Sequence, residues 1–233
     1  MVQTPIKLEH QYPDSDGKPM ADNTEQFDWI TLIVGNLKHL LKNQEAFVAG
    51  DLLWYPMQVG EDEKAPSQAP DAMVVFGRPK GRRGSYRQWE EKDTAPQVVF
   101  EILSPSNTRR EMSEKQRFYE NHGVLEMYYY DPQRKDFWGF VRDTPDEFCT
   151  LITALYLPWV SPLLNIRFEL PNELEIFHPN GEMFAELEEV AEERDRLKSK
   201  LTQTEAKLTQ TTTERDRAFA KLRELGIDPS EIL

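Results

Sequence analysis

Cysteine is almost absent from this sequence, and long apolar runs are missing altogether. The single cysteine, Cys149, excludes an intramolecular disulfide framework and argues against a thiolate metal site. No stretch reaches the roughly 18 continuous apolar residues that a transmembrane helix requires, and the first residues lack the apolar core of a signal peptide. We therefore expect a cytoplasmic protein without a membrane span.

Basic residues are outnumbered as well: 28 Lys and Arg oppose 41 Asp and Glu, so the formal net charge is −13. This balance argues against a protein held to nucleic acid by bulk electrostatic attraction. A local exception is the stretch GRPKGRRGSYRQWEEK, whose Gly, Pro and basic residues predict a loop able to contact a phosphate backbone. The alternative is a solvated loop whose charges do little. The candidate nucleic-acid-binding residues are Arg78, Lys80, Arg82, Arg83 and Arg87.

The rest of the composition, with 39% hydrophobic and 11% aromatic residues, can supply a sizeable core. Apolar residues at helical spacing predict a first helix in DNTEQFDWITLIVGNLKHLLKNQ. Strands are predicted in EAFVAGDLLWYPMQV, DAMVVFG, QVVFEIL, VLEMYYYD and DFWGFV, and shorter ones after Phe148. Residues 171–184 are interpreted as a last connection. This order predicts an α/β (α+β) fold with a mixed sheet flanked by helices.

A second helix is predicted between two of these strands. Thr108 and Glu111 have the spacing of a capping box, and Gly123 follows as a stop signal. Lys115 lies inside the apolar stripe of this helix, where a surface lysine is not expected. Tyr119, one turn further on, is interpreted as core packing.

Heptads fill the C-terminal part of the chain. From Leu187 onward, eight of the twelve a and d positions are apolar, and KLTQTEA is followed directly by KLTQTTT. Charged residues at most other positions complete the pattern of a coiled coil. Polar Thr204, Thr211 and Arg215 interrupt the seam, so a lone solvated helix is the alternative. A helix over residues 185–225 would span about 60 Å.

An acidic residue, Glu101, interrupts the otherwise apolar strand QVVFEIL. A buried carboxylate is costly unless a cation, a metal or hydrogen bonds compensate it. Asp71 begins an earlier strand and Lys115 lies on the next helix, so the three side chains can converge on one point. Two carboxylates bind a hard divalent cation, and a lysine beside them can orient water or stabilise a transition state. This combination is suited to the hydrolysis of phosphodiesters.

The segments PDAMVVFG and APQVVFEILSPSNTRREMSEKQRFYENHGVLEMYYYDP resemble the Uma-type restriction endonuclease family, a bacterial branch of the PD-(D/E)xK nuclease superfamily. The resemblance covers roughly residues 27–142 and implies a restriction endonuclease-like core. It does not extend to the heptads.

The resemblance also implies roles for individual residues. Asp71 and Glu101 would be metal-binding carboxylates, and the backbone carbonyl of Ile102 a further ligand, for Mg²⁺ or Mn²⁺. The superfamily has a lysine two residues after the glutamate, but that position is Leu103 here. The resemblance implies that Lys115 takes over its catalytic role.

We expect four segments: an N-terminal arm over 1–24, an endonuclease-like domain over 25–180, a coiled-coil helix over 185–225 and a loose C-terminus over 226–233. The expected function is metal-dependent cleavage of DNA, with RNA as an open alternative, by a homodimer or oligomer paired through the coiled coil. Two other interpretations stay open. One is a nuclease fold that binds without cutting, in which Glu101 and Lys115 form a structural pair. The other is an interaction protein whose useful part is the coiled coil.

Overall fold

A mixed six-stranded sheet forms the centre of the structure, a computed structural model that describes residues 11–17, 19–60 and 63–226. The helices that position the site and form the tail are α1 Thr24–Leu40, α2 Arg109–Asn121 and α3 Leu187–Glu224. The strands are β1 Ala46–Ala49, β2 Trp54–Tyr55, β3 Ala72–Phe76, β4 Tyr86–Arg87, β5 Val98–Ile102, β6 Glu126–Asp131, β7 Asp136–Val141, β8 Thr150–Thr153, β9 Trp159–Val160, β10 Arg167–Glu169 and β11 Glu175–Phe177. Short 3-10 helices cover Gln88–Glu91 and Ala154–Tyr156.

The strand order in the main sheet is β1-β3-β5-β6-β7-β8. Strands β5 and β6 are parallel, whereas the other neighbouring strands of this sheet are antiparallel. Helix α2 is the crossover between β5 and β6, because parallel neighbours cannot be joined by a tight hairpin. The predicted α/β fold, a mixed sheet flanked by helices, is therefore confirmed.

The two faces of this sheet pack against different helices. Phe100 and Ile102 of β5 belong to the core that contains α1, whereas Val99 belongs to the core that contains Tyr119 of α2. Successive residues of a strand point to opposite faces. Glu101 therefore faces α2, as the alternation of the sequence predicts.

Side-chain caps set the starts of α1 and α2. The Asn23 side chain accepts a hydrogen bond from the Gln26 backbone N–H at 2.9 Å. Thr108 and Glu111 form the reciprocal capping box predicted from their spacing. Gly123 follows α2 with φ of 92°, a left-handed conformation that favours glycine. The capping box places the beginning of α2 close after the end of β5.

Residues 171–184 contain a strand that the sequence interpretation missed. Strand β11 pairs antiparallel with β10, with Ile176 opposite Phe168. The prediction of a plain connection here was therefore wrong. Only three residues make up the strand, and a burial pattern this short is hard to distinguish from a loop.

The described part of the predicted N-terminal arm packs onto the domain. The Tyr12 ring lies 5.3 Å from that of Tyr55 and 4.8 Å from that of Trp89, measured between centroids. Tyr12 is consequently almost fully buried. Residues 1–10 and 18 of the predicted arm, and 227–233 of the predicted loose C-terminus, lie outside the described residues.

The chain forms two compact units, Met1–Ala185 and Glu186–Leu233. The second unit contains α3, a helix of 38 residues that occupies most of the heptad segment. The helical state predicted for that segment is confirmed, while its pairing with another helix stays a prediction. Among the helices in the described ranges, none is both long and apolar enough to cross a bilayer.

Candidate metal-dependent nuclease site

The buried carboxylate of Glu101 is compensated from helix α2. Only 2% of Glu101 is exposed, and its Oε2 lies 2.6 Å from Lys115 Nζ. The hydroxyl of Tyr119 donates a hydrogen bond to the other oxygen, Oε1. Lys115 and Tyr119 are four residues apart, so both project from one face of α2. The interpretation of Tyr119 as core packing is therefore incomplete, because its hydroxyl also holds Glu101.

Asp71 is positioned by the pairing of β3 with β5. Ala72, the first residue of β3, lies opposite Phe100 in this antiparallel pair. Asp71 consequently falls beside the end of β5, and its Oδ2 accepts a hydrogen bond from the Ile102 N–H at 2.6 Å. The structure thus brings Asp71, Glu101 and Lys115 together at the end of one strand.

Asp71 and Glu101 share a single nearby cation, Lys115. Burial and the neighbouring charge of Glu101 raise the pKa of Asp71 from 3.8 to about 8. Burial alone would lower the pKa of Lys115, but the charges of Glu101 and Asp71 outweigh burial and raise the pKa to about 12. Lys115 is therefore a cation at neutral pH and pairs with Glu101, while Asp71 is mostly protonated.

A third acid, Asp51, is electrostatically coupled to this cluster. Its pKa is raised by burial, by Asp16 and by Glu101, while Lys115 opposes the shift. Asp51 has a left-handed φ of 46°, and its N–H donates to the Pro70 carbonyl at 3.1 Å. It follows Gly50, where a Cβ atom would meet the Asp71 carbonyl oxygen at 3.1 Å. The missing side chain of Gly50 lets this turn lie directly against the backbone of Asp71.

The basic loop is tied to its own acidic end. Arg78 Nε and Arg83 Nε lie 2.9 and 2.6 Å from the two carboxylate oxygens of Glu91. The hydrogen bond from Arg83 lowers the pKa of Glu91 against the effect of burial, and Arg78 lowers it further. The Arg83 guanidinium also lies 3.9 Å from the centroid of the Phe47 ring. These two arginines are thus held within the protein.

The other three candidate nucleic-acid-binding residues differ in their surroundings. Lys80 is exposed and its ammonium donates to the Lys42 carbonyl. Arg87 donates to the Tyr12 carbonyl at 3.1 Å and lies 3.5 Å from Glu90. Arg82 is exposed and forms no ion pair with any residue that the structure describes. Among the five candidates, Lys80 and Arg82 are therefore the ones that face solvent.

A family model with the description "Putative restriction endonuclease", Uma2, matches residues 9–211. The chain belongs to the Uma2 family. No curated protein matches the chain. A solved structure of a "putative nuclease" from Anabaena variabilis ATCC 29413 is similar, with 17% sequence identity and a TM-score of 0.44 over 64% of this chain and 78% of that chain. Membership of the Uma2 family confirms the resemblance seen in the sequence and supports a nuclease function.

A divalent cation, which the Uma2 family implies, fits the charge of this cluster. Burial first and the charge of Glu101 second raise the pKa of Asp71, so a cation beside it would favour the charged carboxylate, and carboxylate oxygens are the ligands that Mg²⁺ prefers. The Ile102 carbonyl already accepts a hydrogen bond from Gln26 Nε2 at 2.8 Å, although a carbonyl oxygen has two lone pairs. Within the described ranges, no three His, Cys, Asp or Glu side chains are grouped as a complete metal site. The donor set therefore suits Mg²⁺, which commonly keeps waters and substrate phosphates as ligands.

Sequence reasoning did not assign three residues that contact or influence this cluster. Asp51 and Gln26 reach it through the fold, since they are far from Glu101 in the chain. The only local signal for Asp51 is the preceding Gly50, which breaks an apolar run. Tyr119 did carry a signal, because it lies one turn after Lys115 on the stripe that faces Glu101.

Proposed function

We propose that this protein is a metal-dependent endonuclease that hydrolyses DNA phosphodiester bonds. The observation that carries the proposal is the buried Glu101 beside Lys115, with a second buried acid, Asp71, at the same strand end. A cluster of this kind is suited to a divalent cation and a phosphate. The Uma2 family supports the reaction class, while the substrate and the metal are our inference.

Asp71 and Glu101 would hold Mg²⁺ or Mn²⁺, with the Ile102 carbonyl as a further ligand. When bound, the cation supplies Lewis-acid stabilisation of the phosphate and acidifies water. Asp71, whose pKa is raised to about 8 by burial and by Glu101, would have to be deprotonated to hold the cation. The Ile102 N–H, bonded to Asp71 Oδ2 at 2.6 Å, fixes the orientation of that carboxylate.

Lys115 would act as a permanent cation rather than as a base. With a pKa near 12, its Nζ keeps its protons at neutral pH and can donate to water or to a phosphate oxygen. Glu101 holds the ammonium at 2.6 Å, and Tyr119 holds Glu101 through the opposite oxygen. Two side chains of α2 thus orient one carboxylate of β5.

Lys80 and Arg82 are the residues that we propose contact the DNA backbone first. Both are exposed, whereas the guanidinium groups of Arg78 and Arg83 are already bonded to Glu91. In this proposal Arg78, Arg83 and Arg87 shape the loop and add charge at short range. RNA stays an alternative substrate, since phosphate contacts do not distinguish the two.

We also propose that α3 pairs chains into a homodimer. Its a and d positions supply a repeating apolar seam, and pairing would bring two nuclease domains to one substrate. The family match ends at residue 211, within α3, and leaves the oligomeric state untested.

The second candidate function is a nuclease fold that binds nucleic acid without cutting it. It is favoured by one observation: both oxygens of Glu101 already have protein partners, Lys115 and Tyr119. A carboxylate satisfied in this way needs no metal. The buried pair would then be structural.

Metal titration separates the two functions. We would titrate the protein with Mg²⁺ and Mn²⁺ by calorimetry and follow the nicking of supercoiled DNA, using Asp71→Asn, Glu101→Gln and Lys115→Ala. Glu114→Gln is the matched control, because Glu114 lies on α2 with its side chain 58% exposed. Loss of metal binding and nicking in both acid variants supports the nuclease. A folded wild type that binds neither metal rules it out and favours the structural pair.

A further inference from the structure

Helix α3 carries an apolar seam that its own unit leaves exposed. The heptad places the following residues at a and d: Leu187, Val190, Arg194, Leu197, Leu201, Thr204, Leu208, Thr211, Arg215, Ala218, Leu222 and Leu225. Four of the apolar members, Val190, Leu197, Leu201 and Leu208, are 53 to 66% exposed. Leucines repeated on one stripe at this spacing are the pattern of a helix that packs against another helix.

The charges beside the seam fit a second copy of the same chain. In a parallel in-register pair, a g residue of one helix lies beside the e residue five positions later on the other. Glu193 then lies beside Lys198 of the second copy, and Lys200 beside Glu205 of the second copy. Twofold symmetry doubles both attractive pairs. The remaining g positions, Lys207, Glu214 and Lys221, face neutral residues, so no like charges are brought together at these positions.

Two arginines at a positions fix the register. Arg194 and Arg215 each follow a glutamate at g, within the repeated sequence ERDR at 193–196 and 214–217. The repeat is 21 residues, which is three heptads, so both arginines meet the same surroundings. In the parallel pair each seam arginine lies opposite the same arginine of the second copy, and Glu193 and Glu214 beside them offset these like charges. A slip of one heptad would place each arginine opposite a residue of another kind, and polar a residues select the register in this way.

An antiparallel pair is less favourable on the same residues. With full overlap, it pairs Glu193 with Lys221 and Lys200 with Glu214 at g, but it also brings Lys207 of the two copies together at g and Glu205 of the two copies together at e. It also places Arg215 opposite Leu197 of the second copy. A guanidinium against an apolar side chain loses hydration without gaining a carboxylate.

We infer that α3 forms a parallel, in-register, two-stranded coiled coil with a second copy of this chain. The domain precedes α3 in the chain, and Glu186 alone separates Ala185 from the first residue of the helix. A parallel coil therefore joins both domains at one end, whereas an antiparallel coil would separate them by its length of about 57 Å. The functional consequence rests on the proposed nuclease function: two sites act on one duplex, and both strands are cut in one encounter.

Disulfide trapping in the full-length chain tests the orientation without using nuclease activity. In a Cys149→Ser background, Thr204→Cys at position d should form a disulfide-linked dimer under mild oxidation, because d residues of a parallel coil face each other. Ala206→Cys, at position f on the outer surface, is the control and should stay unlinked. Sedimentation should give twice the chain mass of 27.2 kDa.

A mixture of two variants reveals the opposite orientation. Leu201→Cys and Thr211→Cys chains face each other only in the antiparallel pair, so a mixed disulfide between them would overturn the inference. A monomer at micromolar concentration would overturn it too. Glu193→Lys should weaken the dimer about tenfold, since two attractions become repulsions, and adding Lys198→Glu should restore it.

Cleavage of supercoiled DNA is measured in a separate experiment. A parallel dimer that cuts both strands should convert supercoiled DNA directly to linear product. The Glu193→Lys variant should accumulate nicked circles at concentrations where it is monomeric. A trapped parallel dimer without any cleavage would refute the proposed nuclease function and leave the coiled coil standing.

Discussion

Lys115 Nζ lies 2.6 Å from Glu101 Oε2, and the lysine reaches this carboxylate from the helix that follows the strand. Directly after the strand, the position two residues beyond the glutamate is Leu103, which packs in the core beside α2. The cation beside this carboxylate therefore comes from the helix and not from the strand. The position and start of α2 therefore control the geometry of the proposed site.

Removing the lysine should destabilise the domain strongly. Lys115→Met leaves Glu101 buried without a cation, and breaking a buried ion pair from one side costs about 3–5 kcal/mol. Adding Glu101→Gln should recover much of this loss, because the charge that needed the lysine is gone. Urea unfolding of the wild type, both single variants and the double variant measures the coupling. Additive effects in the four proteins would show that the two side chains are independent.

Asp71→Asn should stabilise the domain when metal is removed with EDTA. Because the pKa of Asp71 rises from 3.8 to about 8 on folding, its contribution to stability is full below pH 3.8 and is lost as the pH rises toward 8. Asparagine keeps an oxygen for the Ile102 N–H but cannot ionise. We expect a gain of about 1–3 kcal/mol at pH 7, growing with pH across this range.

Thermal unfolding between pH 4 and 8 checks this expectation, and metal-dependent cleavage should disappear in the same variant. A variant that is less stable than the wild type at every pH would identify Asp71 as a structural acceptor instead. Such a trade of stability against activity is typical of functional acids.

Arg82→Ala should weaken DNA binding without affecting the fold, because Arg82 is exposed. Losing one phosphate contact lowers the slope of log affinity against log salt by about 1. Arg78→Ala should instead destabilise the loop, since Arg78 is buried and bonded to Glu91. Fluorescence anisotropy at several salt concentrations, with unfolding curves for both variants, separates the two effects. Equal salt slopes for Arg82→Ala and the wild type would remove Arg82 from the interface.

Thr108→Ala should cost about 1 kcal/mol, the typical value of a helix N-cap. Thr108 caps α2 through the Glu111 N–H at 3.1 Å, and α2 carries Lys115. Ser113→Ala, on the exposed face of the same helix, should stay within about 0.5 kcal/mol of the wild type. Urea unfolding compares the two. A neutral Thr108→Ala would mean that tertiary packing alone sets the start of α2.

Local signals predicted the parts of the site that depend on neighbours in sequence. Two short sequence patterns are present in the structure as predicted. One is the capping-box spacing of Thr108 and Glu111, and the other is the alternation of residues around Glu101. The apolar stripe of α2 that contains Lys115 was visible in the sequence for the same reason.

Contacts between distant segments could not be predicted in this way. Asp51 reaches the cluster because Gly50 lets one turn approach another, and Gln26 reaches Ile102 from a helix 76 positions earlier. The pairing of Glu91 with Arg78 and Arg83 depends on how the loop closes. Composition shows the charges of that loop but not their partners.

The two ion pairs of Glu91 have a consequence for turnover. Arg78 and Arg83 share the carboxylate of Glu91, so they should displace fewer condensed counterions from a polyanion than two unpaired arginines would. The conformation of the loop is set before contact, which reduces the entropy lost on binding. For the proposed nuclease, this arrangement in an acidic protein would favour short residence on DNA and rapid release of the cleaved product.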